Sequence, residues 1–172
     1  MAEARRSLTT LSLFGYRVDG VVANRVFPSG GADEWRLTWA EAQTAVLAEV
    51  EQSFTGLPIW RSSYQASEPV GLTALAAFAD AAYGGDDPLA APTAESPMTV
   101  TRTRSGATLR IALPFVVKSD IDLVRHGDEL VVTVGSYRRL VALPAALVRH
   151  TVAGARVENG ALRVRFRAEE PA

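Results

Sequence analysis

The fold is decided by the stretch VVTVGSYRRLVALP, residues 131–144, and by the stretch VENGALRVRF, residues 157–166. Both alternate apolar and polar residues, which is the period of a β-strand with one buried face. Asn159 and Gly160 tolerate the positive φ that a tight hairpin turn requires. Pro144 ends a strand, because proline cannot donate to the ladder of hydrogen bonds. The second half of the chain is therefore predicted to be antiparallel β-structure.

The alternation also predicts which side chains of the last hairpin are buried. A one-residue slip of the register would bury a row of guanidinium groups, which is very unfavourable without partners. The inward set is Ala155, Val157, Leu162, Val164 and Phe166, and the outward set is Arg156, Arg163, Arg165 and Arg167.

The same segments resemble the alpha-crystallin domain of small heat-shock proteins. The resemblance rests on Leu143-Pro144, on Asn159-Gly160-x-Leu162 with its closing strand, and on the paired segments 120–123 and 127–132 upstream. It covers about residues 97–168 and implies a β-sandwich. An unrelated small antiparallel sandwich is the alternative that this pattern leaves open.

Composition sets limits on the class of protein. The chain has 172 residues, a formal charge of −1 and no cysteine. The lack of cysteine excludes disulfides, thiolate metal sites and a cysteine nucleophile, and it is typical of a cytoplasmic protein. No apolar run is long enough for a transmembrane segment.

Residues 1–85 carry six arginines against nine acidic residues, whereas residues 98–172 carry twelve basic residues against seven acidic ones. This asymmetry indicates two modules, and because the arginines are spread along strand faces, no nucleic-acid partner is expected.

The first half alternates helix and strand, an α/β pattern whose strands should be parallel. Helices are predicted over 4–14, from the capping box Thr38–Glu41 to about Phe54, and over 71–83, with short strands at 20–26 and 57–61. The inner face of the long helix should carry Trp39, Val46, Leu47, Val50 and Phe54. Residues 84–96 have the composition of a linker. The predicted organisation is an α/β segment over 1–83, a linker over 84–96 and an all-β sandwich over 97–170.

The segments SLFGYRVDGVVANR, residues 12–25, and EPVGLTAL, residues 68–75, are similar to the last part of the nucleotide-binding domain of ArsA-type ATPases. This P-loop family includes arsenite-pump ATPases and the ATPases that target tail-anchored proteins. Some bacterial members carry an alpha-crystallin-like module at the C-terminus, so the two resemblances support each other. Together they imply the C-terminal region of such an ATPase, with ATP and Mg²⁺ as the cofactors of the parent family.

The chain departs from the family in its catalytic parts. Family catalysis needs a glycine-rich phosphate loop with a lysine, and acidic residues for Mg²⁺. This sequence has no Gly-x-x-x-x-Gly-Lys-Ser/Thr motif, and its one lysine, Lys118, lies in the second module. We therefore expect no catalysis and no tight nucleotide binding by the chain alone. Met1 is interpreted as an internal start or a fragment boundary, and the expected partner is the missing N-terminal ATPase portion or a homologous ATPase subunit.

The resemblance implies that this chain contains the adenine side of a nucleotide pocket. It implies that Asn24, at the end of a strand, contacts the base, and that the loop from Arg61 to Tyr64 covers it through Ser63 and Tyr64. Several relatives have proline where Ser63 stands. The alternative role for Asn24 is that of a strand-end amide that caps backbone groups.

Other arrangements point to no catalytic or metal site. The carboxylates of the long helix fall mostly on its outer face, and His126 and His150 have no second ligand at metal spacing. Trp35, Trp39 and Trp60 are interpreted as core or interface anchors. The rival function is a free-standing chaperone-like module without nucleotide binding, whose β-sandwich holds a protein client along a strand edge.

Overall fold

The computed structural model describes residues 1–28, 33–90, 96–103 and 106–168, so residues 91–95 of the predicted linker and the last two residues of the predicted sandwich lie outside the described part. The chain divides into two compact units. The first comprises Met1 and the described residues of 19–94. The second comprises 2–18 and the described residues of 95–172.

The first unit is the predicted mixture of helix and strand. It contains β1 (Val21–Val26), α2 (Glu34–Ser53), β2 (Ile59–Ser63) and α3 (Leu72–Tyr83). The two strands pair in parallel, as the intervening helix predicted. They form a two-stranded sheet.

Helix α2 begins earlier than predicted. The carboxylate of Asp33 accepts a hydrogen bond from the backbone N–H of Trp35 at 3.1 Å and caps the helix there. The Thr38 hydroxyl lies inside the helix, where it donates to the carbonyl of Glu34. The predicted capping box Thr38–Glu41 is therefore wrong, because an aspartate five residues upstream already satisfies the first free N–H groups.

The predicted inner face of α2 is only partly buried. Val50 and Phe54 are buried, whereas Trp39 and Val46 are about half exposed, at 51% and 50%. The physical reason is the width of the sheet, since two strands cannot cover a helix of twenty residues. The face of the first unit that carries these side chains is apolar and open.

The second unit is an antiparallel β-sandwich with a helix packed on it. One sheet has the order β3-β4-β9-β8 and the other β5-β6-β7. The elements are α1 (Ala2–Leu13), β3 (Met98–Thr103), β4 (Gly106–Ala112), a 3-10 turn (Lys118–Asp120), β5 (Ile121–His126), β6 (Glu129–Val134), β7 (Tyr137–Ala142), α4 (Ala145–Val148), β8 (His150–Glu158) and β9 (Ala161–Ala168). Leu109, Ile111, Leu113, Leu130 and Val132 are almost fully buried between the sheets.

The predicted hairpin has the predicted register. Asn159 and Gly160 both have positive φ, 50° and 64°, between β8 and β9. Leu162, Val164 and Phe166 are buried, and Arg165 is exposed. Ala155 is the exception, because it is exposed although it pairs with Val164. It lies on β8, an edge strand of the four-stranded sheet, which the three strands of the opposite sheet do not fully cover.

Helix α1 packs on the sandwich, whereas the sequence pattern groups it with the first module. Leu13 is fully buried and belongs to the sandwich core. The Thr9 hydroxyl donates to the carbonyl of Pro114 at 2.6 Å, and the Arg139 guanidinium donates to the carbonyl of Leu13. These contacts join residues more than 100 positions apart, so local sequence patterns could not indicate them.

One arginine bridges the two sheets. Arg125 on β5 donates to the carbonyl of Val148 at 2.8 Å and to the carbonyl of His150 at the start of β8. Val148 is the last residue of α4, and His150 is the first residue of β8, the edge strand of the four-stranded sheet. Arg125 therefore ties β5 to the segment that leads from α4 into β8.

Across the described ranges, no helix has both the length and the apolar character that crossing a membrane requires.

Candidate functional site

The candidate site lies at the carboxyl ends of the two parallel strands of the first unit. Asn24 is in the second half of β1, Ser63 is the last residue of β2, and Tyr64 follows it. In open α/β sheets, ligands bind in the crevice outside the carboxyl ends of the strands. The topology therefore gives the three predicted residues a position suited to binding.

A bulge in β1 determines how Asn24 is presented. Ala23 pairs with Arg61 and Val26 pairs with Ser63, so Asn24 and Arg25 together stand opposite the single residue Ser62. Arg25 has φ of 58°, a left-handed conformation that a residue other than glycine adopts at a cost of about 1–3 kcal/mol. Bulges of this kind re-aim side chains and recur beside functional sites.

All three predicted residues line one pocket of about 530 Å³. This volume is within the range of pockets that hold small ligands. The other lining residues are Arg25, Gln65, Ala66, Ser67, Glu68, Pro69 and Phe78. The structure thus brings Asn24, Ser63 and Tyr64 together, and their role in binding a base stays a prediction.

The side chain of Asn24 makes the local contact that the alternative role requires. Its Oδ1 accepts a hydrogen bond from the backbone N–H of Arg25 at 2.9 Å. An amide oxygen has a second lone pair, and the NH₂ group has two donors. Backbone capping and ligand binding by Asn24 are therefore compatible.

Tyr64 belongs to an aromatic stack. Its ring lies parallel to that of Phe27, with centroids 5.6 Å apart, and it is 54% exposed. Its backbone N–H donates to the carbonyl of Val26 at 2.8 Å, which fixes the loop to β1. Gln65 donates to the carbonyl of Ser63 at 3.0 Å. The first bond holds the loop after β2 against the end of β1, and the second lies within the loop itself.

The stack continues onto α2. Phe27 contacts Trp35 and Trp39, with ring centroids 6.2 and 6.1 Å away. Both tryptophans are more than half exposed, at 59% and 51%. They are therefore surface residues of this unit, consistent with interface anchors and not with a core. Trp60 is separate, with its ring against Tyr83 and its indole N–H donating to Asp86 at 3.0 Å.

Sequence reasoning missed part of the pocket wall. Arg25, Phe78 and the segment 65–69 line it but were not predicted as site residues. Phe78 comes from α3, so only the packing of that helix on β2 places it there. The segment 65–69 could have been found from its position, because it directly follows the second parallel strand.

Comparison with known proteins gives two family matches. Residues 1–84 match the family described as anion-transporting ATPase. Residues 104–166 match the family described as the HSP20-like domain found in ArsA. The two matches follow each other in the order that the resemblances predicted.

Relatives match over most of the chain. A protein of Streptomyces coelicolor, "Uncharacterized protein SCO2128", is 39% identical over 175 residues, covering 96% of this chain and 41% of its own length. A Chlorobaculum tepidum protein, named "Putative arsenical pump-driving ATPase", is 32% identical over 145 residues, covering 84% of this chain and 36% of its own length. The chain thus spans about two fifths of the length of these relatives.

Among solved structures, the small heat-shock protein HSP18.5 from E. histolytica matches 46% of this chain and 93% of its own, with 18% identity and a TM-score of 0.37.

Proposed function

We propose that this chain supplies the adenine side of a nucleotide pocket, because residues 1–84 match the anion-transporting ATPase family and residues 104–166 match the HSP20-like domain found in ArsA. In this proposal it does not hydrolyse ATP by itself, and it works with an ATPase portion that supplies the phosphate loop. The observation that carries the proposal is that Asn24, Ser63 and Tyr64 line one pocket.

The pocket has the chemistry to hold a purine. An asparagine amide can donate to N7 and accept from the N6 amino group of adenine. An exposed tyrosine ring, supported from behind by Phe27, offers a flat surface for stacking. Stacking of a base on an aromatic side chain contributes about 1–3 kcal/mol. Together these two groups support specific but weak binding of a base.

The sequence has no phosphate loop of the kind that the family uses to hold the phosphates. A phosphate loop cradles the β- and γ-phosphates with backbone N–H groups and a lysine. The chain lacks that motif, and Lys118 lies in the second unit. This supports the proposal that the phosphate side, Mg²⁺ ligands and attacking water are positioned by residues of another ATPase portion.

The surface of the first unit supports such a partner. A parallel sheet ordinarily has more than two strands and is covered on both faces. Here the sheet has two strands, and the apolar side chains of Trp35, Leu37 and Trp39 on α2 are all more than half exposed. We propose that further strands and helices of a nucleotide-binding domain pack against this sheet and cover these side chains.

Base binding is tested with adenosine and the full chain. We expect ¹⁵N-labelled protein titrated with adenosine to show shifts at the amides of residues 24–25 and 63–68. Asn24→Ala should weaken binding at least about fivefold, because it removes both hydrogen bonds of the amide to the base, which together contribute about 1–3 kcal/mol.

Gln52→Ala is the matched control for this titration, because Gln52 carries an exposed amide on α2 and does not line the pocket. It should leave the affinity unchanged. Equal affinities for the wild-type chain and Asn24→Ala, or an equal loss with Gln52→Ala, would remove Asn24 from the proposed role.

A further inference from the structure

The second unit has a groove of its own, unrelated to the nucleotide pocket. It has a volume of about 730 Å³ and lies between α1, the loop at Phe115-Val116 and the turn between β6 and β7. All of its lining residues belong to the second unit. A groove of this size can hold a small organic molecule.

Phe115 is the unusual residue of this groove. Its φ of 65° is left-handed, which is a genuine outlier for a bulky side chain. The ring is also 45% exposed, so packing in the core does not account for keeping an aromatic residue in this conformation. Strained backbone of this kind is concentrated at ligand-binding and catalytic sites, where the observed outlier supports a hypothesis of function.

Positive charge accompanies the exposed ring. The guanidinium carbon of Arg5 lies 5.7 Å from the centroid of Phe115, within the range of a cation–π contact. Arg6, on the next position of α1, also lines the groove. It pairs with Glu3 at 3.0 Å, but both side chains are largely exposed, so this ion pair is weak and can be exchanged for another anion.

Among the lining residues that the structure describes, Asp120 is the one with a carboxylate, and that carboxylate is already engaged. Asp120 accepts hydrogen bonds from the backbone N–H of Val117 and from the Ser119 hydroxyl, both at 3.3 Å. Its charge is thereby partly satisfied within its own turn. The described lining of the groove thus contains the guanidinium groups of Arg5 and Arg6 and one carboxylate that is held within its own turn.

We propose that this groove binds a small organic anion with an apolar body. The apolar body would lie on Phe115, Val116 and Val134, which provide the hydrophobic part of the lining. The anionic group would be held by Arg5 and Arg6, since guanidinium groups form strong charge-assisted bonds with carboxylates and sulfonates. This site is independent of the nucleotide pocket and of any ATPase portion that completes it.

The probe is 8-anilino-1-naphthalenesulfonate, an aromatic ring system with one anionic group, titrated into the ¹⁵N-labelled full chain. We expect amide shifts at residues 115–116 and 134–137, with competition by decanoate. Arg5→Gln should weaken this binding at least about tenfold, as expected when a bond to a charged group is lost.

Phe115→Asn separates a binding role from a structural one. Asparagine tolerates the left-handed conformation, so this variant should melt at the same temperature as the wild-type chain or higher. It should nevertheless lose the probe-induced shifts in the groove. A lowered melting temperature together with unchanged binding would assign Phe115 to structure and overturn the proposal.

Two controls test whether charge and position matter. Arg102→Gln removes an exposed arginine of β3 that does not line the groove, and it should leave binding unchanged. The neutral analogue N-phenyl-1-naphthylamine should bind at least about tenfold more weakly than the sulfonate. Equal binding of the two probes, or equal losses with Arg5→Gln and Arg102→Gln, would overturn the anion site.

Discussion

Replacing Phe166 by alanine is expected to lower the free energy of unfolding of the sandwich by about 3–5 kcal/mol, as for a truncated core aromatic. Phe166 is 4% exposed and belongs to the core shared by both sheets. Its neighbour Arg165 is exposed on the other face of β9, so Arg165→Ala should change stability by no more than about 0.5 kcal/mol. Urea unfolding of the full chain, followed by circular dichroism, measures the free energy of unfolding of both variants. Hydrogen exchange at the amides of β4 and β9 then assigns the loss of stability to the sandwich.

The contrast between these neighbours tests the register of β9. A slip by one residue exchanges the inward and outward faces of a strand. Equal losses for the two variants, or a larger loss for Arg165→Ala, would contradict the register that places Phe166 opposite Val152 and Ala107.

Leu13→Ala is expected to lower the free energy of unfolding of the second unit by about 2–5 kcal/mol, although residue 13 is 94 positions before Ala107, the first core residue of the β-sheets. Leu13 has no exposed surface, and its carbonyl accepts a hydrogen bond from Arg139 on β7. Hydrogen exchange at the amides of β4 and β7 should accelerate in this variant, because α1 packs on the unit that contains them.

Leu11→Ala is the matched control, since Leu11 lies in the same helix but is 40% exposed. It should cost much less than Leu13→Ala in the same urea experiment. If the two variants were equivalent, or if Leu13→Ala left the exchange of β4 and β7 unchanged, α1 would not be part of the sandwich core.

The β-half could be predicted well because its signals are local. Alternation determines which residues of β9 are inward, and Asn159-Gly160 determines the turn, so the predicted burial of Leu162, Val164 and Phe166 is confirmed. The prediction for Ala155 is wrong, because its burial depends on how far the opposite sheet extends past an edge strand. How far the opposite sheet extends depends on the packing of the whole sandwich, so a short stretch of sequence does not indicate it.

The α/β half could be predicted in its element types and in its parallel pairing but less well in its packing. The position of α1 depends on Leu13 and Thr9 meeting residues of the second half of the chain, which no periodicity reveals. The predicted start of α2 is misplaced because two capping signals, Asp33 and the Thr38–Glu41 box, lie five residues apart. Either could begin a helix, and the upstream one does.

For the candidate site, the residues were predicted from the family resemblance, and the parallel pairing of β1 and β2 brings them to one edge of the sheet. The resemblance pointed to Asn24, Ser63 and Tyr64, and all three line one pocket. The bulge at Asn24 and Arg25 could not be predicted, because arginine has no preference for the left-handed conformation that Arg25 adopts. Phe78 was missed for a related reason, since its contribution arises only when α3 packs against β2.

We propose that the chain carries an adenine side without a phosphate side. The direct measurement compares the affinities of the full chain for adenosine and for ATP with Mg²⁺, by calorimetry or by the amide shifts of residues 24–25 and 63–68. We expect the two affinities to lie within about threefold of each other, because the triphosphate meets no phosphate loop. A phosphate site would contribute charge-assisted bonds of about 1.5–3 kcal/mol each. Binding of ATP that is tenfold or more tighter than that of adenosine, or Mg²⁺-dependent turnover of the bound ATP, would contradict it.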